Sequence, residues 1–497
     1  MHLLDNNPDT IFDRPLETDI KQRTISGLLW KLFERGGRAV VELLVQIVLA
    51  RLLAPEQFGT LAILLVFVNI GNAVVQSGLN TALVQKEYVC EEDYSSVYWL
   101  SAALSIALYL LIFFLAPFLA NFYESAEITN ALRVIALILP INAMNAVQMA
   151  QLQRTLEFKK IAMVTLGSIV LSGFAGIALA YVGVGLWALV SQQLIYQLTT
   201  CLLLLRFASC RPHLMFNGKR AKELYSFGWK ILAATLLDTG YQSASDLIVG
   251  KLFGQTTLGL VSQGKKYPHA LGSMLDGAIQ PVMLATISRI QSDISYVKKV
   301  ARRALKTSTF LIVPSMVLFA ISASPIVEVL LGEKWMPCVP FLQMYCITYM
   351  LLPIHTTNLQ VLNGLGRSDV FLKLEILKKA YGMALLLFAA FILKDIYLMI
   401  GSYIIIGVIS TFVNAWPNKQ LIGYSYREQI RDISPSFLLS VPSAVISYLL
   451  GSIIPNAIAT IAIQTVAMIT IYLLLARLFH LEAFSYLRNT LKGMLHK

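Results

Sequence analysis

The chain has 497 residues, of which 57% are hydrophobic and 14% charged, with a formal net charge of +12. Charged residues stand at about half their usual share in a soluble protein, and no aqueous core could bury so much apolar surface, so a soluble globular protein is excluded. Runs such as Leu202-Leu203-Leu204-Leu205 do not alternate with polar residues, which argues against a transmembrane barrel.

Taken in chain order, residues 1 to 20 are polar and acidic and read as a cytosolic tail. They lack the basic-apolar-small pattern of a cleavable signal peptide. Apolar runs of roughly span length then predict an all-α polytopic membrane protein of about fourteen helices. They lie near 25–51, 58–85, 96–120, 128–151, 161–182, 184–205, 224–250, 258–286, 305–331, 339–363, 370–393, 396–416, 434–453 and 457–479. With both termini inside, the cytosolic segments hold about 27 Lys/Arg and the opposite loops about 4 (Arg51, Lys251, Lys334 and Lys394). The basic excess therefore orients a membrane protein, and nucleic acid is not an expected partner. The segments Arg211 to Lys222 and Lys298 to Lys306 could also touch anionic membrane lipid. Five cysteines, Cys90, Cys201, Cys210, Cys338 and Cys346, show no metal-binding spacing, and no metal site or cofactor is expected.

The first half of the chain returns about 200 residues later. Trp30-Lys31 is echoed by Trp229-Lys230, Ala50-Arg51-Leu52-Leu53 by Gly250-Lys251-Leu252-Phe253, and Phe58-Gly59 by Leu258-Gly259. Because six spans is an even number, the copies share direction, a parallel repeat of the kind that builds secondary transporters. The expected organisation is a tail at 1–23, six-helix bundles at 24–206 and 224–416, cytosolic linkers at 207–223 and 417–432, an accessory helix pair at 433–480 and an amphipathic cytosolic tail at 481–497.

Several spans carry charge. Lys31, Arg35, Arg38 and Glu42 fall within an arc of about 60° on the first span. Each such charge costs roughly 2.5 to 3.5 kcal/mol at the bilayer centre, so the stripe should face water or a partner, with Gly36-Gly37 leaving room at the backbone. The blander reading leaves Lys31 and Glu34 snorkelling from the cytosolic end and pairs Glu34 with Arg38. The second span shows Asn69, Asn72, Gln76 and Asn80 on one side; its repeat mate shows Lys265, Lys266, His269, Ser273, Asp276 and Gln280, with Pro268 expected to kink it. Amides can simply hold helices together, so cavity lining and helix packing both stay open for these seams. The seventh span adds Lys230, Asp238, Gln242, Ser245 and Asp246; Asp238, Asp246 and Asp276 could neutralise the lysines or titrate as a site coupled to H+ or Na+. His355, Asn358, Asn363, Lys378 and Lys379 are weaker candidates. The surplus of Arg35, Arg38, Lys230, Lys265 and Lys266 favours an anion, and a phosphate or pyrophosphate suits arginine geometry better than a cationic drug does.

The stretch Leu49-Ala50-Arg51-Leu52-Leu53-Ala54-Pro55-Glu56-Gln57-Phe58-Gly59, followed by Ser77-Gly78-Leu79-Asn80-Thr81-Ala82-Leu83-Val84-Gln85, resembles the opening of polysaccharide flippases of the Wzx/teichuronic-acid exporter type. These belong to the multidrug/oligosaccharidyl-lipid/polysaccharide transporter superfamily. The resemblance implies a carrier that moves polyprenyl-pyrophosphate-linked oligosaccharide across the bacterial inner membrane by alternating access, serving O-antigen, capsule, exopolysaccharide or teichuronic-type synthesis beside a polymerase or ligase. By position in the bundles, its pyrophosphate-holding residues fall on Arg35, Arg38, Lys265 and Lys266. The final helix pair resembles the one that makes a lipid-tail groove in the peptidoglycan-precursor flippase. A drug or cation antiporter of the same superfamily is the alternative, although it should offer acidic and aromatic groups. A membrane glycosyltransferase or polymerase would want a metal-binding acidic motif or a long outer loop, and neither is evident.

Overall fold

A computed structural model of the chain describes residues 17–76, 83, 89–207, 215 and 217–495. Among these the architecture is all-α. The chain forms two compact units, residues 1–259 and 260–497.

The first unit opens with α1 (Glu17–Leu52) and α2 (Pro55–Gln76), joined by a tight turn in which Ala54 N–H donates to the Gln57 side-chain oxygen at 3.1 Å. Proline at the first position of α2 suits a helix start, where its missing N–H has no intrahelical acceptor. Then come α3 (Glu91–Phe122), α4 (Glu127–Ile135), α5 (Ile138–Arg154), α6 (Phe158–Val182), α7 (Leu186–Phe207) and α8 (Gly218–Leu252). Helix α6 stops at Gly183, which caps it at φ +84°, a conformation that favours glycine. Close packing of α1 on α6 depends on small residues: a Cβ on Gly27 would lie 2.6 Å from Phe158, and one on Gly173 2.5 Å from Val45. The linker expected near 207–223 touches α3, with Asn217 N–H donating to Ser96 Oγ at 2.9 Å.

The two glycines shared by the repeated motif meet one another. A Cβ on Gly59 would lie 1.7 Å from the Gln255 carbonyl oxygen, and one on Gly259 1.9 Å from the Pro55 carbonyl oxygen. Pro55 and Gln255, like Gly59 and Gly259, are 200 positions apart, so the contact is reciprocal. Thr60 Oγ1 adds a hydrogen bond to Gln255 Oε1 at 2.8 Å. Only glycine lets the two backbones approach this closely.

The second unit holds nearly all of α9 (Gly254–Ile290), then α10 (Ile294–Ile321), α11 (Ala323–Leu330), α12 (Val339–Met350), α13 (Leu352–Gly364), α14 (Ser368–Phe388), α15 (Ile396–Leu421), α16 (Tyr426–Ser452), α17 (Ala457–Leu478) and α18 (Glu482–Leu495). Helix α9 continues through Pro268 and Pro281. Side-chain caps begin several of these helices: Asp293 on α10, Asp395 on α15, the reciprocal Ser425/Glu428 pair on α16 and Asn456 on α17. Met283, Ile287, Val297, Leu305, Val361 and Tyr424 form a core here, while Leu438, Val441, Ile458, Val466 and Leu474 of the last pair stay exposed. Such an apolar exterior suits lipid as solvent.

Thirteen of the fourteen expected spans fall mainly on helix, and the remaining one, 58–85, is described as helix as far as Gln76. Among the described residues twelve helical stretches are long and apolar enough to cross a membrane. The protein is a multi-pass membrane protein. Helices α1 and α8 stand where the first and seventh spans were expected but are too charged or too polar for that criterion, so a count of fourteen crossings is a further step.

Candidate functional site

In the first unit, the ionic stripe of α1 lies on exposed helix. Arg35, Gly36 and Arg38 are all exposed. Nothing lies within 4 Å of where a Gly36 Cβ would sit, whereas Gly37 packs on Leu166 at 3.1 Å. One glycine thus admits the neighbouring helix and the other leaves open space beside Arg35. Among the described residues Arg35 forms no ion pair. Arg38 reaches Glu42 at 3.8 Å, with both side chains nearly half exposed, and lies 6.0 Å from the centre of the Tyr196 ring of α7. The expected Glu34–Arg38 pair is not the one formed: Glu34 is buried and takes the Lys31 ammonium at 2.6 Å. Lys31 therefore does not add to the free positive charge. Arg35 and Arg38 remain.

The polar seam of α2 divides. Asn72 Oδ1 accepts from Asn142 Nδ2 of α5 at 2.9 Å, a helix-to-helix bond. Asn69 is exposed and Gln76 half-buried. Asn80 lies outside the described residues, as do most of the second motif segment and Cys210. On α8 the side chain of Lys230 is likewise outside them; Asp238 is exposed and accepts from Gln242 Nε2 at 2.7 Å, and Asp246 is half-buried.

In the second unit, Lys265 and Lys266 are half-buried and flank the buried Tyr267. His269 is exposed and sets its ring edge-on to Tyr349, centroids 5.5 Å apart. Asp276 is buried; one carboxylate oxygen accepts from Gln280 Nε2 at 2.7 Å, and the Thr356 side chain is also close to the carboxyl. The weaker candidates are drawn into packing contacts. Lys378 pairs with Glu375 at 2.5 Å and His355 Nδ1 meets Asn414 Nδ2 at 3.1 Å. Asn358 joins Asn418 and Gln429 in a buried amide network.

Sequence reading missed a ladder of ion pairs along the first turns of α10 within this unit. Lys298, Arg302 and Lys306, expected to meet lipid, instead meet carboxylates. Lys298 contacts Glu428 at 2.9 Å; Arg302 grips Asp432 with two bonds of 2.7 and 2.8 Å; Lys306 reaches Asp432 at 3.2 Å and Glu482 at 2.7 Å. Tyr424 O–H donates to Asp432 at 2.7 Å. The phenol lies just before α16, and burial together with this bond pushes its pKa up, keeping it a donor. The i, i+4, i+8 spacing of the cations puts them on one helix face, but nothing local in the sequence points to Glu428 and Asp432 as their partners.

The family model for "Polysaccharide biosynthesis protein" matches residues 48–340. The chain is 22% identical to the lipopolysaccharide biosynthesis protein WzxC of Escherichia coli (strain K12), over 88% of this chain and 90% of that one. It is 23% identical to the succinoglycan biosynthesis transport protein ExoT of Rhizobium meliloti (strain 1021), over 90% and 91% respectively. The teichuronic acid biosynthesis protein TuaB of Bacillus subtilis (strain 168) is 23% identical over 76% of this chain and 78% of that one. The fold is that of the lipid II flippase MurJ, with a TM-score of 0.75 at 15% identity, covering 92% of this chain and 99% of the other. A multidrug resistance transporter of the MATE family gives a TM-score of 0.60 at 14% identity, covering 78% and 96%.

Proposed function

The chain belongs to the polysaccharide biosynthesis protein family, and on that premise we propose that it is a flippase for polyprenyl-pyrophosphate-linked oligosaccharide. The reading places it in a bacterial inner membrane with both termini cytosolic, fourteen crossings and the two six-helix bundles of the repeat. It assigns no catalysis to the chain, only transport between leaflets by alternating access beside a polymerase or ligase.

The observation that carries it is the pair Arg35 and Arg38, exposed on α1 beside the open Gly36, with no short ion pair between them and a carboxylate. Guanidinium groups bind phosphate oxygens two at a time, and a dianionic head offsets the repulsion between neighbouring cations. Arg35 and Arg38 take the pyrophosphate; Lys230, Lys265 and Lys266 add positive charge along its route. Asn69, Gln76, Asn80, His269 and Gln280 offer hydroxyl-compatible partners for sugar. Asp276 is the carboxylate best suited to coupling H+ or Na+, because it is buried while Asp238 is exposed and Asp246 half-buried; the latter two are alternatives. A cation antiporter is disfavoured by the sign of this charge.

The test is export in cells. The Arg35→Ala/Arg38→Ala/Lys266→Ala variant should insert at normal level, lose surface glycan and accumulate lipid-linked oligosaccharide on the cytosolic side. Arg→Lys changes should restore only part of the activity, because a lysine contacts phosphate as a point charge. Undiminished surface glycan in the triple variant would sink the assignment.

A further inference from the structure

Apart from the cationic stripe, the second unit holds a cavity of about 680 Å³ where α10, α11, α12, α16 and α17 come together. Its rim is made of helix ends: Ile321 closes α10, Ser324 lies in the first turn of α11, Ser452 closes α16 and Ala457 opens α17. The cavity therefore opens at the level of the loops, where headgroups rather than acyl chains would surround it.

Its lining is polar in a specific way. Gln464 is only 2% exposed; its Oε1 accepts from Ser322 Oγ at 2.7 Å, and its Nε2 donates to no group among the described residues. Seven residues into α17, it forms a floor about 10 Å below the helix start. Gly451 makes room for it, since a Cβ there would lie 2.6 Å from Nε2. Gln343 donates from Nε2 to the Ala320 carbonyl at 3.1 Å, which leaves its Oε1 as an acceptor. Glu328 lines the cavity without an ion pair among the described residues, and no Lys or Arg joins it there. Tyr448, 54% exposed, supplies an aromatic face.

We infer that this cavity is a binding site for the sugar portion of the transported glycolipid on the side where it emerges. The inference rests on the flippase reading above and adds to it a second place, away from its polar seams, where the glycan is held. The Gln464 amide N–H groups face the cavity, where a ligand oxygen can take the place of water as their acceptor. Separate sugar hydroxyls can donate to Glu328 and to Gln343 while another accepts from Gln464, and the apolar face of the sugar ring can lie on Tyr448. A phosphate would meet the Glu328 carboxylate without a compensating cation, and an acyl chain would strip water from the carboxylate and two amides. The volume lies inside the roughly 300 to 1,000 Å³ range of ligand pockets.

The site is tested with full-length protein in nanodiscs, carrying Tyr448→Trp as a fluorescent reporter. The first probe is the host's own repeat-unit oligosaccharide, released from its lipid by mild acid; the second is phosphatidylethanolamine in the disc lipid. Released glycan should shift the tryptophan emission saturably, with at least tenfold weaker affinity in Glu328→Gln/Gln343→Ala protein of unchanged melting temperature. Phosphatidylethanolamine should leave the emission where it is. If cells export glycan normally but released glycan gives no saturable shift, or the lipid gives the shift instead, the cavity is not a sugar site and the flippase reading stands. If the purified chain moves no lipid-linked oligosaccharide in reconstituted vesicles, the flippase reading falls and takes this site with it.

Discussion

Two rows of cations on two long helices show opposite solutions to one problem. On α10, Lys298, Arg302 and Lys306 each meet a carboxylate at 2.7 to 3.2 Å, and the carboxylate at the centre, Asp432, is 3% exposed. On α1, Arg35 has no ion pair among the described residues and Arg38 has one of 3.8 Å between two half-exposed groups. The spacing within each row is helical in both cases. What separates them is whether the protein supplies a close opposite charge; on the function proposed above, the second row leaves that charge to the substrate. The first row ties α10 to α16 and α18, while the second keeps charge available on an open face.

The largest effect should come from breaking the neutralised row. Asp432→Ala leaves Arg302 and Lys306 facing each other beside a phenol that has lost its acceptor. Removing one partner of a fully buried pair costs about 3 to 5 kcal/mol. Arg302 and Lys306 stay partly exposed, so the loss should be smaller than that but still the largest of the set, read as a clearly lowered unfolding midpoint in detergent. The Arg35 and Arg38 variants should lose export at unchanged midpoint. An Asp432→Ala protein as stable as the parent would erase the distinction between the rows.

The element positions were legible because apolar runs and turn residues are local signals. Among the described residues the expected spans lie mainly on helix, including the first and the seventh, which are rich in polar and charged residues. The ladder was not legible, since Glu428 and Asp432 lie 130 positions from Lys298 and Arg302, and Glu482 lies 176 from Lys306. Without their partners those lysines look like any lipid-facing basic segment. The Glu34–Arg38 pairing failed for a different reason: helical spacing permits i, i+3 and i, i+4 equally, and side-chain direction gave Glu34 to Lys31. For the candidate site, period and charge placed Arg35 and Arg38 on one open face. They could not tell Asn72, tied to Asn142, from Asn69, which stays exposed.

That last pair gives a medium-sized test. Asn72→Ala removes one interhelical hydrogen bond, worth about 0.6 kcal/mol in membrane bundles, and leaves Asn142 without that acceptor. The unfolding midpoint should fall measurably but by far less than for Asp432→Ala, and export should persist. Asn69→Ala should leave the midpoint unchanged. A reversed order would mean that the exposed amide, and not the bonded one, holds the helices.

The smallest effect is expected at Glu42, and it bears most directly on the contrast between the rows. If Arg38 were a structural cation like Arg302, Glu42 would be its counterpart to Asp432, and Glu42→Gln should destabilise in the same way. The geometry says otherwise: 3.8 Å between groups 49% and 45% exposed describes a pair of the kind worth about 0.2 to 1 kcal/mol. Side-chain entropy and the adjacent Tyr196 ring, 6.0 Å from the guanidinium, reduce the consequence further. Glu42→Gln should therefore unfold within error of the parent. Because it removes a negative charge that competes with an anionic ligand for Arg38, it should hold pyrophosphate-bearing lipid at least as tightly, measured by titrating undecaprenyl pyrophosphate into nanodisc-embedded protein. A drop in stability approaching that of Asp432→Ala, or weaker binding at unchanged stability, would assign Arg38 to the architecture and leave Arg35 as the ligand-facing cation of α1.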